Sequence, residues 1–403
     1  MLFRRLAVFA VCFLFIGLKC TYSQLSDTST NRLKYRIVEY SGHSGRQLKT
    51  YTTLPENRFT LMNELRFAIQ TDGSKIWHEQ YGYPQVGVSI LVGLLGNPDV
   101  FGQNISIVPN ITFNTKKINN WCFQSTFGMG FSYFFKPNDP ITNPNNLMTG
   151  SHITNISYAN LFLRRKLTSR LYLKTGISYF HFSNGHYQLP NIGMNIPSVT
   201  LGLIYHSYSQ YPSINGIKPQ DKPWDQNSDR SIKLNFRLGI GVQEFGTATG
   251  PIGEEKYPVY IISVYLSKRY GKVSNVHMGL NATFYQRFYD YFKENNLYEF
   301  MEFEKSSVLT FILAHEFLAG HIGFVSQGGI NFYSPQHNLY FRLSDRWITL
   351  DSFLKSYVST KIGVQYYFYD TQKRISKNLS LGLYLKANFG QADFIETSIN
   401  YTF

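Results

Sequence analysis

Apolar and polar side chains alternate with a period of two in stretch after stretch of this chain. At the C-terminus Ile395, Thr397, Ile399, Tyr401 and Phe403 interleave with Glu396, Ser398, Asn400 and Thr402. Before them Leu379, Leu381, Leu383, Leu385, Ala387 and Phe389 interleave with Ser380, Gly382, Tyr384, Lys386, Asn388 and Gly390. Val358 to Phe368 and Val86 to Leu94 read the same way. Such a period belongs to strands that turn one face to an apolar medium and the other to a polar one. The 17% aromatic content excludes a disordered chain, and three cysteines exclude a disulfide scaffold or a cysteine-built zinc module. Beyond the first two dozen residues no run of about 18 apolar residues offers a spanning helix.

The N-terminus predicts export. Arg4 and Arg5 precede an apolar stretch from Leu6 to Leu18, and Thr21 and Ser23 hold the small-residue positions of a cleavage site before Gln24. Lys19 argues against lipidation at Cys20. Removal of residues 1–23 leaves Cys122 alone, so no internal disulfide is expected. It takes away three basic residues and no acid, so a formal net charge of +14 becomes +11, which suits an anionic lipid surface.

A secreted, alternating, Tyr- and Phe-rich chain that ends on Phe403 predicts an all-β transmembrane antiparallel barrel with a wet lumen in a bacterial outer membrane. A soluble sandwich shares the alternation but buries its apolar face against a second sheet. Fourteen strands are expected, within a range of 12–16, starting near residues 83, 100, 122, 152, 170, 197, 231, 257, 273, 305, 321, 357, 379 and 394. They assign 81–403 to one barrel. Residues 24–80 are left as a periplasmic extension, a plug or two further strands. Short connections near 167–169, 270–272 and 319–321 mark the periplasmic side, and long ones at 135–151, 289–304 and 335–356 the outer side. The Pro-rich stretch 211–230 is a long exception on the inner side.

One stretch carries chemistry. On the strand from Leu171 the odd positions Leu171, Leu173, Thr175, Ile177 and Tyr179 form the lipid face, and His181 and Ser183 continue it past an interfacial Tyr. Neighbours at i and i+2 lie about 6.5–7 Å apart along a strand. A His beside a Ser hydroxyl is the arrangement that activates a nucleophile. At this depth the pair stands level with the acyl esters of membrane lipids. On the next strand Pro197, Val199, Leu201, Leu203 and Tyr205 keep the parity, and Asn195 precedes them on the same face. Asn195 is a candidate to accept from His181 and hold its tautomer, as Asn does in Cys-His-Asn proteases. The alternative for Asn195 is a plain turn residue. The acyl chain would lie along Leu173, Ile177, Val199 and Leu201.

The segment His181-Phe-Ser183-Asn184-Gly185, followed by Pro190-Asn191-x-Gly193-x-Asn195 and an alternating strand, resembles the lipid A 3-O-deacylase family, PagL-like and also described as acyloxyacyl hydrolase. The likeness spans roughly 121–205, from the Gly-rich strand at Phe127–Phe131, and is strongest at 181–195. It implies an outer-membrane barrel that removes an ester-linked acyl chain from lipid A through a lipid-facing dyad. Ser183 is then implied as nucleophile and His181 as base, with Asn191, Asn184 and Gly185 as candidates for stabilising the oxyanion. Deacylases of that family carry Glu where this chain has Asn195, and their barrels are small and eight-stranded, whereas this chain is far longer. The resemblance implies no metal and no organic cofactor. The implied partners are lipopolysaccharide and outer-membrane lipids, with a second copy of the chain as a further candidate and no nucleic acid.

Other readings stay open. His181 and Ser183 could be interfacial polar residues that only touch head groups, in an inactive barrel acting as a pore or surface-binding protein. The same dyad could transfer an acyl chain or hydrolyse phospholipid. His152 and His277 are isolated and read as structural, since a metal needs several convergent ligands. His186 reads as a loop residue without a role, and Glu254–Glu255 and Glu302–Glu304 as solvated loop acids.

Overall fold

In a computed structural model the described residues are 35–49, 54–115, 118–208, 231–336 apart from 245, 247, 251 and 254, and 350–403 apart from 375. The expected signal segment 1–23, the stretch 211–230 and Glu254 lie outside them.

All fourteen expected strands are present within about three residues of their expected starts, and two more lie in the segment 24–80. The first eight are β1 (Arg36–Gly45), β2 (Thr60–Gln70), β3 (Gln85–Leu94), β4 (Gln103–Asn114), β5 (Trp121–Phe134), β6 (Ile153–Lys166), β7 (Leu171–Ser183) and β8 (Met194–His206). The second eight are β9 (Lys233–Glu244), β10 (Lys256–Tyr270), β11 (Ser274–Tyr285), β12 (Ser307–Ala319), β13 (Ile322–Tyr333), β14 (Val358–Tyr367), β15 (Asn378–Asn388) and β16 (Gln391–Thr402). A short helix α1 (Ile76–Gln80) lies between β2 and β3, and α2 (Gln286–Glu294) and α3 (Glu302–Lys305) lie between β11 and β12.

Sixteen strands fall inside the expected range, but their closure corrects the expectation of one barrel over 81–403. β8 pairs antiparallel with β1, with Leu201 opposite Gly42, and β16 pairs with β9, with Ile399 opposite Leu238. The chain therefore forms two closed eight-stranded barrels in series. Alternation says which face of a strand is wet, but not which distant strand closes the ring. β1 and β2 supply the missing edge, and the seam falls between β8 and β9, where the sequence shows its one long inner connection.

The wet lumen is corrected too. Eight strands enclose just enough room for side chains, and the described side chains occupy it. In the first barrel Glu39 sits between Arg66 Nη1 at 2.5 Å and Lys174 Nζ at 2.8 Å, and Glu64 Oε2 lies 3.2 Å from His43 Nε2. Pairing is what makes burial of such charges tolerable. Toward the rim of longer connections, Met62, Leu91, Val108, Phe134, Ile156, Phe180, Phe182, Met194 and Ile196 pack into a dry plug. In the second barrel the Arg237 guanidinium lies 5.0 Å from the Tyr265 ring centre and 4.8 Å from that of Tyr384. Lys361 pairs there with Glu396, and His277 Nε2 stands 3.2 Å from Glu316 Oε2. Among the described residues these side chains fill the interiors, which argues against an open pore.

The outward positions are apolar on both barrels, among them Phe67, Ile105, Phe127, Leu161, Leu238, Ile262, Leu280, Phe311, Leu381 and Ile399. The barrels also touch. At the short-turn rim the Tyr81 hydroxyl donates to the carbonyls of Val273 at 3.0 Å and Leu318 at 3.2 Å.

Candidate active site

Register and pleat position the candidate residues. β7 and β8 pair with His181 opposite Asn195, Tyr179 opposite Pro197, Ile177 opposite Val199 and Thr175 opposite Leu201. The even residues of β7, such as Tyr172, Lys174, Ser178 and Phe180, are buried in the lumen. The odd ones, from Leu173 to His181, are half-buried or exposed on the outer wall. His181 and Asn195 thus stand side by side outside the barrel, as their parity predicts.

Asn195 Oδ1 lies 2.8 Å from His181 Nδ1 and accepts the Tyr179 hydroxyl at 2.9 Å. An amide oxygen only accepts, so this contact holds the tautomer with hydrogen on Nδ1 and leaves the Nε2 lone pair free.

Ser183 ends β7 on the same parity, but the ten-residue connection 184–193 folds over it and leaves it 5% exposed. Its Oγ accepts from Asn191 Nδ2 at 3.0 Å and from the Gly185 N–H at 3.2 Å. Among the described residues no hydrogen bond joins Ser183 to His181, which is common before substrate binds. The two residues do share one space. A Cβ added at Gly193, whose φ is +77°, would sit 3.6 Å from His181 Cε1 and 3.8 Å from Ser183 Cβ. Glycine meets both demands, a left-handed backbone and room beside the His181 ring and Ser183 Cβ.

The remaining motif residues shape the loop. The Asn184 N–H donates to Asn191 Oδ1 at 3.0 Å, which turns Asn191 Nδ2 toward Ser183. The Asn184 side chain is taken up elsewhere: its Nδ2 donates to Gln188 O at 2.5 Å and Ser151 Oγ at 3.1 Å, and its Oδ1 accepts from the His186 N–H. Asn184 therefore braces the loop, while Gly185 N–H and Asn191 Nδ2 point at the hydroxyl.

Along the outer wall from the His–Asn pair runs a bare apolar track. Ile177 is 60% exposed, Val199 65% and Leu201 61%, with half-buried Leu173 at its far end. Val199 and Leu201 stand proud because their β1 neighbours are small, Ser44 beside Val199 and Gly42 beside Leu201. On the other side of Asn195 the β1–β2 connection extends the sheet, with the Leu48 N–H donating to Asn195 O at 2.9 Å. Arg46, Gln47, Leu48, Lys49 and Pro197 line a hollow of about 500 Å³ there.

Two residues at this site escape a reading of the sequence. His186, with φ at +69°, and Glu244 of the second barrel join the loop over Ser183 to the β9–β10 connection. His152 stacks on Tyr133, and His277, expected to stand alone, lies 3.2 Å from Glu316. Among the described residues no group of three or more His, Cys, Asp or Glu could hold a metal ion.

Two family profiles match the chain, one per barrel. "Lipid A 3-O-deacylase (PagL)" matches residues 62–203, and "Acyloxyacyl hydrolase, C-terminal domain" matches 232–403. A crystal structure of the outer membrane enzyme PagL aligns with 16% identity over 41% of this chain and 98% of that one, with a TM-score of 0.31. The outer membrane protein opdK from Pseudomonas aeruginosa aligns with 8% identity over 92% and 98%, with a TM-score of 0.21. No curated protein matches.

Proposed function

Because this chain belongs to the PagL-like family and lies in the bacterial outer membrane, we propose that its first barrel is a serine esterase that removes an ester-linked acyl chain from lipid A. One observation carries the mechanism: a buried Ser183 hydroxyl under two N–H donors, sharing the space over Gly193 with His181, whose Nδ1 lies 2.8 Å from Asn195 Oδ1.

Ser183 Oγ attacks the acyl carbonyl and His181 Nε2 takes its proton. The carbonyl oxygen becomes an oxyanion in reach of Gly185 N–H and Asn191 Nδ2, which already converge on Oγ and need no large reorganisation. The tetrahedral intermediate collapses as the imidazolium returns the proton to the departing sugar hydroxyl. Water, deprotonated by the same nitrogen, then cleaves the acyl-enzyme and releases a fatty acid. Asn195 holds the imidazole in place through a neutral amide, so it orients the base without adding the charge that a Glu would bring. The acyl chain lies along Ile177, Val199, Leu201 and Leu173, where it stays in the bilayer while its ester meets the dyad. Arg46 and Lys49 offer positive charge to an anionic head group beside Asn195.

Mass spectrometry of lipid A from cells expressing wild type, Ser183→Ala or His181→Ala tests this. Wild type is expected to lose one acyl mass and release free fatty acid, and both variants are expected to fall at least about 10³-fold. Identical acylation patterns in wild type and Ser183→Ala would overturn the proposal.

A further inference from the structure

The loop over Ser183 leans on the second barrel. The Leu189 N–H donates to Glu244 Oε2 at 2.6 Å, the Glu244 N–H donates to His186 O at 3.0 Å, and the Asn191 N–H donates to Ala248 O at 2.7 Å. His186 Nε2 lies 3.2 Å from Gly246 O. A Cβ at Gly185 would meet Ile395 Cγ1 at 2.5 Å and Leu385 Cδ1 at 3.1 Å, both on the second barrel. Glu244 is buried, and its other oxygen accepts the Gly253 N–H at 2.8 Å, which braces the β9–β10 connection itself. Both donors aimed at Ser183 Oγ, Gly185 N–H and Asn191 Nδ2, therefore belong to residues seated against the second barrel.

We infer that the second barrel is a positioning element for the reaction of the first, and that Glu244 is its principal positioning residue. The inference rests on the proposed esterase reading. A ten-residue loop carrying an oxyanion site needs its backbone fixed, and the first barrel alone leaves the 189–191 segment short of acceptors. Glu244 and Ala248 supply them. Glu244 bonds to Leu189, Gly253 and His186 and not to Ser183, so its effect runs through the placement of Gly185 and Asn191.

The test compares full-length wild type, Glu244→Ala and Glu244→Gln in detergent micelles with purified lipid A, with Ser183→Ala as the blank. Glu244→Ala is expected to lower kcat about tenfold, as a small misplacement of reacting groups does, with KM within about twofold of wild type. Glu244→Gln can keep its amide oxygen on the Leu189 N–H while its NH2 faces the Gly253 N–H, and is expected to rescue part of kcat. Amide hydrogen exchange at Leu189 and Asn191 is read in parallel and should quicken in Glu244→Ala but not in Glu244→Gln. Wild-type kcat in Glu244→Ala, or unchanged exchange at both amides, would overturn the inference. Should wild type show no Ser183-dependent hydrolysis, the esterase reading fails by itself, and the exchange rates alone decide whether Glu244 holds the loop.

Discussion

Replacing Gly193 with alanine probes the space beside the His181 imidazole and Ser183 on which the proposed mechanism depends. At φ +77° a side chain costs about 1–2 kcal/mol in backbone strain alone. The new Cβ would also stand 2.9 Å from Phe182 O, closer than carbon packs against a carbonyl oxygen, so the loop must shift by a few tenths of an ångström. That shift acts on the points 3.6 and 3.8 Å away, His181 Cε1 and Ser183 Cβ. Gly82 supplies the control, because its φ is +67° and a Cβ there meets nothing within 4 Å. Gly82→Ala should lose about 1–2 kcal/mol, or about 1–4 °C in Tm, and Gly193→Ala that much plus the cost of the loop shift. Only Gly193→Ala should lose kcat, by roughly ten- to a hundredfold, since reacting groups displaced by a fraction of an ångström lose their near-attack geometry. The assay is the initial rate of fatty-acid release per folded protein, beside thermal unfolding of the same samples. Wild-type kcat in Gly193→Ala, or an equal loss in Gly82→Ala, would refute the reasoning.

Three further outcomes follow from the same geometry. Burial, and then the nearby Arg287 charge, hold His186 below the usual histidine range, against the weaker upward pull of Asp393 and its bond to Gly246. Protonation therefore disfavours the folded loop: stability is highest above pH ~6.5 and falls, by at most about 1.4 kcal/mol per pH unit, as pH drops below that value. The opening free energy at Leu189 and Asn191, taken from exchange rates divided by the intrinsic rate at each pH, should fall between pH 7 and 5.5 in wild type but not in His186→Gln, and equal pH dependence in both would reject this. Leu201→Arg puts a charge on the lipid-facing track and should cost about 2–4 kcal/mol of barrel stability near the bilayer centre, raising KM for long acyl chains in a detergent assay; unchanged unfolding and unchanged KM would show that the residue does not face lipid. Planar-bilayer recordings should show no steady conductance, since both interiors are filled, and stepwise open channels would contradict that packing.

Much of this protein was legible in its residue order. Strand identity and the choice of outward face follow from alternation, a local property, because a pleated strand sends neighbours to opposite sides. That is why fourteen strand starts, the outward parity of His181 and Asn195, and the apolar track from Ile177 to Leu201 could be read before any coordinate. Ring closure could not. β1 finds β8 across some 170 residues, as in the bond from the Arg36 N–H to Ser207 Oγ with a separation of 171, and no local pattern names so distant a partner. The burial of Ser183 escaped for a related reason, since parity describes a strand and not the loop that folds back on it. The tie from Glu244 to Leu189 exists only because two barrels, each complete in its own hydrogen bonding, come to rest side by side, and contact between closed surfaces leaves no periodic trace along a chain.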